Sequence, residues 1–280
     1  MTSNVPEYQV VNKYLDVQSD RDYRNIAIQK VGIKDYVIPI EIIDKTVQQQ
    51  SIATCSLAVN LPFGKRGAHL SKFIQFLNEN NENLSFQTFK KIPNKLKLLQ
   101  ESEASYIELK FTLFKNKNAP ISKIQSLMNY DVSFIHESLD GKELDMIKVI
   151  VHVTSLCPCS KKIADYGAHN QRSEISVTVC PKEDEKIWVE DLIDIVENNA
   201  SSELYSLLTI EDKKYVTEKA YDNPKFVEDM IRDLATDLDA DKRLNGYKVE
   251  VENFESIHNH SAYAAIDKLK LNLNNSPSLR

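Results

Sequence analysis

The sequence has no long apolar run and no obvious export signal. None of its hydrophobic stretches approaches the ~18 consecutive apolar residues that a membrane-spanning helix requires. Residues 1–25 also lack the positively charged and then apolar pattern of a secretory signal peptide. These two absences predict a cytoplasmic protein that has no membrane partner.

Cysteine is scarce, with four residues in a chain of 280, at positions 55, 157, 159 and 180. Their number and spacing do not suggest a disulfide framework. The sequence also lacks a C-x-x-C knuckle, which argues against a closed zinc site with four cysteine ligands. A cysteine with a special role is therefore expected to act as a thiolate.

Positive charge is not in excess either. The formal net charge of −6 disfavours broad electrostatic binding to nucleic acid, although a local basic pocket could still bind a small phosphate ligand. Hydrophobic residues make up 42% of the chain and charged residues 27%, which is typical of a soluble globular protein. The length suits one large domain or two ordinary domains.

The two halves of the chain show the same order of predicted elements, ββααββ. Strands are predicted from apolar runs or from alternation of apolar and polar residues at 36–43, 53–61, 107–113, 130–139, 146–156, 174–179, 247–252 and 261–273. Helices are predicted from apolar spacing at 70–77, 95–104, 187–199 and 223–238. In the last of these, Asn223 is expected to cap the helix and Pro224 to occupy its first position.

This order predicts an α+β protein with mostly antiparallel sheets and helices on one face. The predicted first unit spans residues 31–141, and the second spans 142–272. An irregular N-terminal segment, 1–30, and a polar tail, 273–280, flank them.

Reactive residue types concentrate at 155–173, SLCPCSKKIADYGAHNQRS, between two predicted strands. Cys157 can supply a thiolate and His169 an imidazole nitrogen, and a later carboxylate or histidine could complete an open metal site. Open coordination favours catalysis over a structural role. Another interpretation is that Cys157 is an inert loop thiol, and that Cys159 and Cys180 are small core residues.

A second group of reactive residues lies in NFESIHNHSAY, residues 253–263, which contains Glu255, His258 and His260. Alternate residues of an extended segment share a face, so both histidines could point into one site, for metal binding or proton transfer. The alternative interpretation is that both are solvated histidines in a loop.

A third group, Glu203, Glu218 and Glu228, lies in regions of helical character, and spacing alone does not separate functional glutamates from solvated ones.

Residues 155–173 are similar, nearly throughout, to the signature of the GTP cyclohydrolase type IB family. Three further blocks resemble that family in the same chain order: SSELY at 201–205, KYVTEKAYDNPKFVEDM at 214–230 and ESIHNH at 255–260. FGKRGAHLSKF at 63–73 is similar to a family segment usually read as G-T-H-M-S-R-F. There Ala68, Leu70 and Lys72 depart from the family pattern, and Lys72 would weaken a bidentate contact.

The resemblance implies a metal-dependent enzyme that converts GTP and water to 7,8-dihydroneopterin triphosphate and formate. It also implies the tunnelling fold, with two ββααββ units per chain and a barrel-like homotetramer whose active sites lie near subunit contacts. Carried over by motif, the divalent metal, which could be zinc, manganese or iron(II), has the implied ligands Cys157, His169, Glu203 and His258. Cys157, Glu255 and His260 are the implied catalytic residues.

The same resemblance makes Glu218 the guanine anchor, because a carboxylate can accept both the N1–H and the exocyclic amine of guanine. The triphosphate requires cations; the candidates are Lys161, Arg172, Lys162, Lys65 and Arg66, of which the first two are favoured. The alternatives are another tunnelling-fold enzyme, either a cyclic-phosphate-forming cyclohydrolase or a deazapurine nitrile reductase, and a non-catalytic zinc-stabilised purine-binding module. Whether the product feeds folate or modified tRNA bases such as queuosine stays open.

Overall fold

Alternating apolar side chains build one antiparallel sheet in the computed structural model, which describes residues 17–139 and 142–269. Within these residues the sheet has nine strands: eight follow the order β1-β2-β3-β4-β5-β6-β8-β9, and the ninth, β7, pairs with β5. The strands are β1 (Ile28–Ile43), β2 (Gln48–Leu61), β3 (Ser105–Asn118), β4 (Gln125–Leu139), β5 (Lys142–Leu156), β6 (Asn170–Pro181), β7 (Ser202–Glu203), β8 (Leu244–Asn253) and β9 (Ala262–Asp267). Neighbouring strands run antiparallel throughout this part of the chain.

The helices lie in the connections between strands. They are α1 (Leu70–Asn78), α2 (Phe86–Phe89), α3 (Ile92–Gln100), α4 (Pro158–Ile163), α5 (Val189–Asn198), α6 (Ile210–Asp222) and α7 (Val227–Ala240). One buried core joins the apolar face of the sheet to α1, α3, α5 and α7, for example through Phe73, Leu96, Ile193 and Leu234. The predicted α+β class with a mostly antiparallel sheet is therefore confirmed. No helix among the described residues is long and apolar enough to cross a membrane.

The alternation predicted for the strands is visible in their burial. In β2, Ala53, Cys55 and Leu57 are buried, whereas Thr54 and Ser56 between them are partly exposed. Because successive strand residues point to opposite faces, this pattern covers one face of the sheet with helices and leaves the other polar. The predicted strand at 261–273 is observed only as β9, and its last residues lie outside the described part of the chain, as do residues 1–16 and the predicted tail.

The observed element order is richer than a plain ββααββ repeat. The first half contains the additional short helix α2, and the second half contains α4 and β7. Helix α6 was not among the sequence predictions because it lacks an apolar stripe: its buried residues are Asp212 and Ala220. The prediction that Asn223 starts the following helix is wrong, since Asn223 ends α6 and α7 begins at Val227.

A buried carboxylate fixes the start of α6 against the first half of the chain. Asp212 is fully buried, and its Oδ1 accepts hydrogen bonds from the backbone N–H groups of Ile121 and Ser122 at 2.8 and 2.9 Å. Its Oδ2 accepts from the Ser122 hydroxyl at 2.6 Å and from Thr209. Burial raises the pKa of Asp212, but the bonds from Ser122, Thr209 and Ile121 outweigh it and hold that pKa well below its usual value.

Candidate functional site at the end of the β5–β6 hairpin

Cys157 and His169 lie opposite each other where the β5–β6 ladder ends. The two strands pair from Ile147 with Val179 to Leu156 with Asn170. The backbone N–H of Cys157 then donates to the carbonyl of His169 at 3.1 Å, which continues the antiparallel pattern by one further bond. The hairpin register therefore places the thiol and the imidazole at one end of the sheet, as the metal-site prediction for 155–173 requires.

Ser160 connects these two residues. Cys157 is the N-cap of α4, and its Sγ accepts a hydrogen bond from the Ser160 N–H at 3.4 Å. The Ser160 hydroxyl donates to the Cys157 carbonyl at 3.1 Å and accepts from the His169 N–H at 3.2 Å. Cys157 is partly buried and Cys159 is exposed, so the two thiols of the C-x-C motif occupy different environments. Cys159 is therefore not the core residue of the alternative interpretation, whereas Cys180 is buried.

A buried polar network orients the ring of His169. Its Nδ1 lies 3.0 Å from Oε1 of Gln171. A carbonyl oxygen can only accept, so this contact is a hydrogen bond in the tautomer that carries its proton on Nδ1, and in that tautomer the Nε2 lone pair is available for a metal or a proton. The Gln171 amide donates to Ser155 at 2.9 Å, and Ser173 donates to Ser155 at 2.9 Å or to Asn253 at 2.7 Å.

The sequence contains a signal for this network that its motifs do not show. Ser155, Gln171, Ser173 and Asn253 are all buried. Each lies at a strand position facing the core, where the alternation otherwise supplies apolar residues. Polar side chains at core positions need partners, so their clustering near a candidate ligand predicts a positioning network.

Glu255 also reaches His169, and the two later histidines lie together on the surface. Glu255 Oε2 lies 3.8 Å from His169 Nδ1, and both side chains are largely buried. His258 and His260 are exposed, with their rings stacked at a centroid distance of 5.1 Å. Their segment bends between β8 and β9, so the expectation of an extended segment is wrong, although the two rings do lie together.

Glu203 is held at a different place. It lies in β7 opposite Val153, four residues before Cys157 along β5, or about 13 Å at the usual rise of a strand. Both of its carboxylate oxygens accept a hydrogen bond from Lys219 Nζ at 2.7 Å. The fold therefore gives Glu203 a partner within the chain.

The predicted substrate-binding residues are spread around α6 and the hairpin. Glu218 is exposed on α6 and accepts a hydrogen bond from Lys214 at 2.8 Å, one helical turn away. Lys161 donates to the carbonyl of Tyr221 and lies 4.2 Å from the centroid of its ring, which attaches α4 to the end of α6. Arg172 is exposed on β6.

The other predicted phosphate-binding cations have different surroundings. Lys162 is exposed on α4, close in sequence to the hairpin end. Lys65 lies 3.7 Å from Glu101, and Arg66 lies 2.9 Å from Asp20, all within the first half of the chain. Glu228 is exposed in the first turn of α7, as expected for a solvated glutamate.

The predicted four-ligand set does not converge within one chain. Across residues 17–139 and 142–269, no group of three or more His, Cys, Asp or Glu side chains is arranged to hold a metal ion. The structure pairs the backbones of Cys157 and His169, and among the described residues neither Glu203 nor His258 joins them in a group of three. The metal site therefore stays a prediction, with two of its donors adjacent.

Comparison with known proteins identifies the family. The family model described as type I GTP cyclohydrolase folE2 matches residues 15–264. This chain belongs to the type I GTP cyclohydrolase folE2 family. Membership confirms the sequence resemblance at the level of type I GTP cyclohydrolases.

Curated relatives match nearly the full length. The protein is 49% identical over 272 residues to GTP cyclohydrolase FolE2 2 of Dechloromonas aromatica, with 97% of each chain covered. It is 51% identical over 264 residues to GTP cyclohydrolase FolE2 of Nitrosospira multiformis, with 93% of this chain and 100% of the relative covered. Among solved structures, uricase from Arthrobacter globiformis has a TM-score of 0.50 at 8% identity, covering 90% of this chain and 96% of the uricase. At that identity the likeness concerns the fold.

Proposed function

We propose that this folE2-family protein is a GTP cyclohydrolase of type IB that converts GTP and water to 7,8-dihydroneopterin triphosphate and formate. The family match and relatives at about half identity over more than nine-tenths of the chain support the activity and its place in folate biosynthesis. The observation in the structure that carries the proposal is the Cys157–His169 pair, fixed by the hairpin register and by Ser160.

A divalent metal is proposed to bind Cys157 and His169, with Glu203 and His258 completing its ligands. The donors fit such an ion chemically, because thiolate and imidazole suit zinc, and manganese or iron(II) also accept nitrogen and carboxylate ligands. The orientation of His169 fits too, since Gln171 binds Nδ1 and leaves Nε2 for coordination. When bound, the ion supplies Lewis acidity that lowers the pKa of a water molecule for attack at C8 of the purine.

The other roles belong to side chains that bind the substrate and move protons. Glu218 is proposed to accept the N1–H and exocyclic amine of guanine, which distinguishes guanine from adenine. To do so it exchanges the Lys214 ammonium for these donors. Lys161 and Arg172 are proposed to bind the triphosphate, and His260 and Glu255 to transfer protons as the imidazole ring opens.

The proposed assembly is a homotetramer of tunnelling-fold chains. In the two proposed units, 31–141 and 142–272, helices lie between a first and a last pair of strands, and α4 also separates β5 from β6. The likeness of fold to a uricase supports this architecture. Exposure of His258 and His260 in the single chain supports a site completed at a subunit contact. The cytoplasmic location stays a prediction from the sequence.

Reconstitution tests this function. Protein stripped of metal is incubated with GTP and one divalent metal at a time, while formate release and pterin fluorescence are followed. A metal-dependent release of formate together with a fluorescent pterin is expected. A purine-binding module would release no formate, and a nitrile reductase would require a nicotinamide cofactor. A cyclic-phosphate-forming cyclohydrolase would yield a cyclic phosphate as its pterin product. Any of these results contradicts the proposal.

A further inference from the structure

Lys219 and Glu203 form a two-point ion pair between α6 and β7. Lys219 Nζ lies 2.7 Å from each carboxylate oxygen of Glu203. The Glu203 side chain is 15% exposed and that of Lys219 is 32% exposed. An ammonium that contacts both oxygens uses two of the roughly four lone-pair sites of the carboxylate, and these two are the sites that a metal ion bound to both oxygens would use.

The other cation near Glu203, Lys117, contacts different side chains. Lys117 lies 2.6 Å from Glu197 and 4.5 Å from the ring centroid of Tyr205, and burial lowers its pKa. Burial, and after it the negative charge of Glu203, raise the pKa of Tyr205. Among the described residues, Lys219 is therefore the cation that contacts the Glu203 carboxylate.

We propose that Lys219 and the divalent metal are alternative partners of Glu203, so that metal binding displaces the Lys219 ammonium. The inference rests on the proposed function, because it takes Glu203 as a metal ligand.

The displacement is energetically accessible. When the metal replaces the ammonium, the largely buried Glu203 carboxylate keeps a positive partner, and Lys219, which is 32% exposed, becomes solvated. Lys219 therefore lowers metal affinity without abolishing it. Its flexible four-carbon chain lets the ammonium move into solvent while α6 stays in place.

Metal titration of the full-length protein tests this competition. Metal-free wild type and Lys219→Met are titrated with zinc and with manganese in the absence of GTP, by calorimetry or by competition with a chelator. Lys219→Met is expected to bind metal about three- to fivefold more tightly, the upper part of the range that the strength of such ion pairs allows. Lys219→Arg, which keeps the charge, is expected to bind no more tightly than wild type.

Two further variants separate competition from a general effect of charge. Lys214→Met removes the same charge from the same helix but leaves the Lys219–Glu203 pair, so its metal affinity is expected to stay within about twofold of wild type. In a Glu203→Gln background, Lys219→Met is expected to change nothing.

Each other outcome contradicts the proposal. Unchanged or weaker binding by Lys219→Met shows that Lys219 positions Glu203 or does not affect it. A gain that persists in the Glu203→Gln background shows only long-range repulsion, and absence of metal binding by every variant removes the competition altogether. Metal binding as expected without formate release from GTP instead contradicts the proposed activity and leaves the competition standing.

Discussion

The end of the β5–β6 hairpin and the exposed surface of α6 both contain predicted site residues, but they hold them differently. At the hairpin end, Cys157 and His169 are fixed by backbone pairing, and Gln171 orients the imidazole from within the core. On α6, Glu218 is exposed and paired with Lys214. The hairpin end is therefore preorganised, whereas α6 must exchange partners to bind a ligand.

This difference indicates where substitutions should act. A preorganised donor has lost its conformational freedom on folding, so its removal affects chemistry directly. A residue that gives up an ion pair to bind a ligand affects affinity through the difference between two interaction free energies, one with its ion-pair partner and one with the ligand.

Replacement of Cys157 by Ala should abolish turnover, because it removes the proposed thiolate ligand from the preorganised pair. Metal content, measured by elemental analysis, should fall together with the rate. Cys180→Ala is the control, since Cys180 is buried at the far end of β6 and should leave turnover nearly intact. A fully active Cys157→Ala protein would contradict the assignment of Cys157 as a metal ligand.

Replacement of His260 by Ala should lower the rate about 10²-fold or more through lost proton transfer, and should flatten one limb of the pH–rate profile. Metal should remain stoichiometric in this variant. His258→Ala should instead weaken metal retention, and added metal should partly restore its rate. Identical metal loss and identical pH profiles for the two variants would show that the stacked histidines share one role.

Replacement of Glu218 by Gln should lower kcat/KM on the order of 10²-fold, since an amide donor then faces the guanine donors. Metal content should be unchanged. Glu211→Gln, also exposed on α6, is the matched control and should have little effect. Loss of metal with normal GTP binding would make Glu218 a ligand instead.

Replacement of Gln171 by Leu should weaken metal binding about tenfold or more, because the His169 ring loses the acceptor that fixes its orientation. Gln171→Glu keeps an acceptor for Nδ1 and is expected to retain more affinity than Gln171→Leu. The measurement is metal affinity by chelator competition. Equal affinities in wild type and Gln171→Leu would show that the hairpin end does not depend on its buried network.

Replacement of Asp212 by Asn should lower the urea midpoint of unfolding at pH 7, with Asp222→Asn, exposed on the same helix, as control. The pKa of Asp212 is depressed in the folded protein, so its stabilisation is fully present above the unfolded-state value of about 3.9. It is lost as pH falls toward the folded-state value. The gap between wild type and Asp212→Asn should therefore be smaller at pH 3 than at pH 7, and an equal gap contradicts this role.

Alternation in the sequence predicted most of the sheet because burial on one face leaves a direct trace in residue type. The same logic failed for α6, whose surface is polar almost all round and whose start is fixed by a buried carboxylate, Asp212. Helix α4 and strand β7 are too short to show a period. Such elements depend on tertiary contacts that a local pattern does not contain.

For the candidate site, the sequence predicted the Cys157–His169 pair, since both residues lie in the one segment that connects two predicted strands. It did not predict that Lys219 binds Glu203, because that contact joins a two-residue strand to a helix 16 positions away. The orientation of His169 depends on Gln171, and a glutamine at a core position is recognised as functional only when its partners are known.

The most direct test of the account uses GTP labelled with ¹³C at C8 of the purine. The enzyme is reconstituted with the metal that binds most tightly, and the fate of the label is followed by NMR. The account predicts that the label leaves as formate, that the pterin product is unlabelled, and that the Cys157→Ala protein produces neither. Retention of the label in the product, or labelled formate from Cys157→Ala at the wild-type rate, contradicts a cyclohydrolase built on the Cys157–His169 pair.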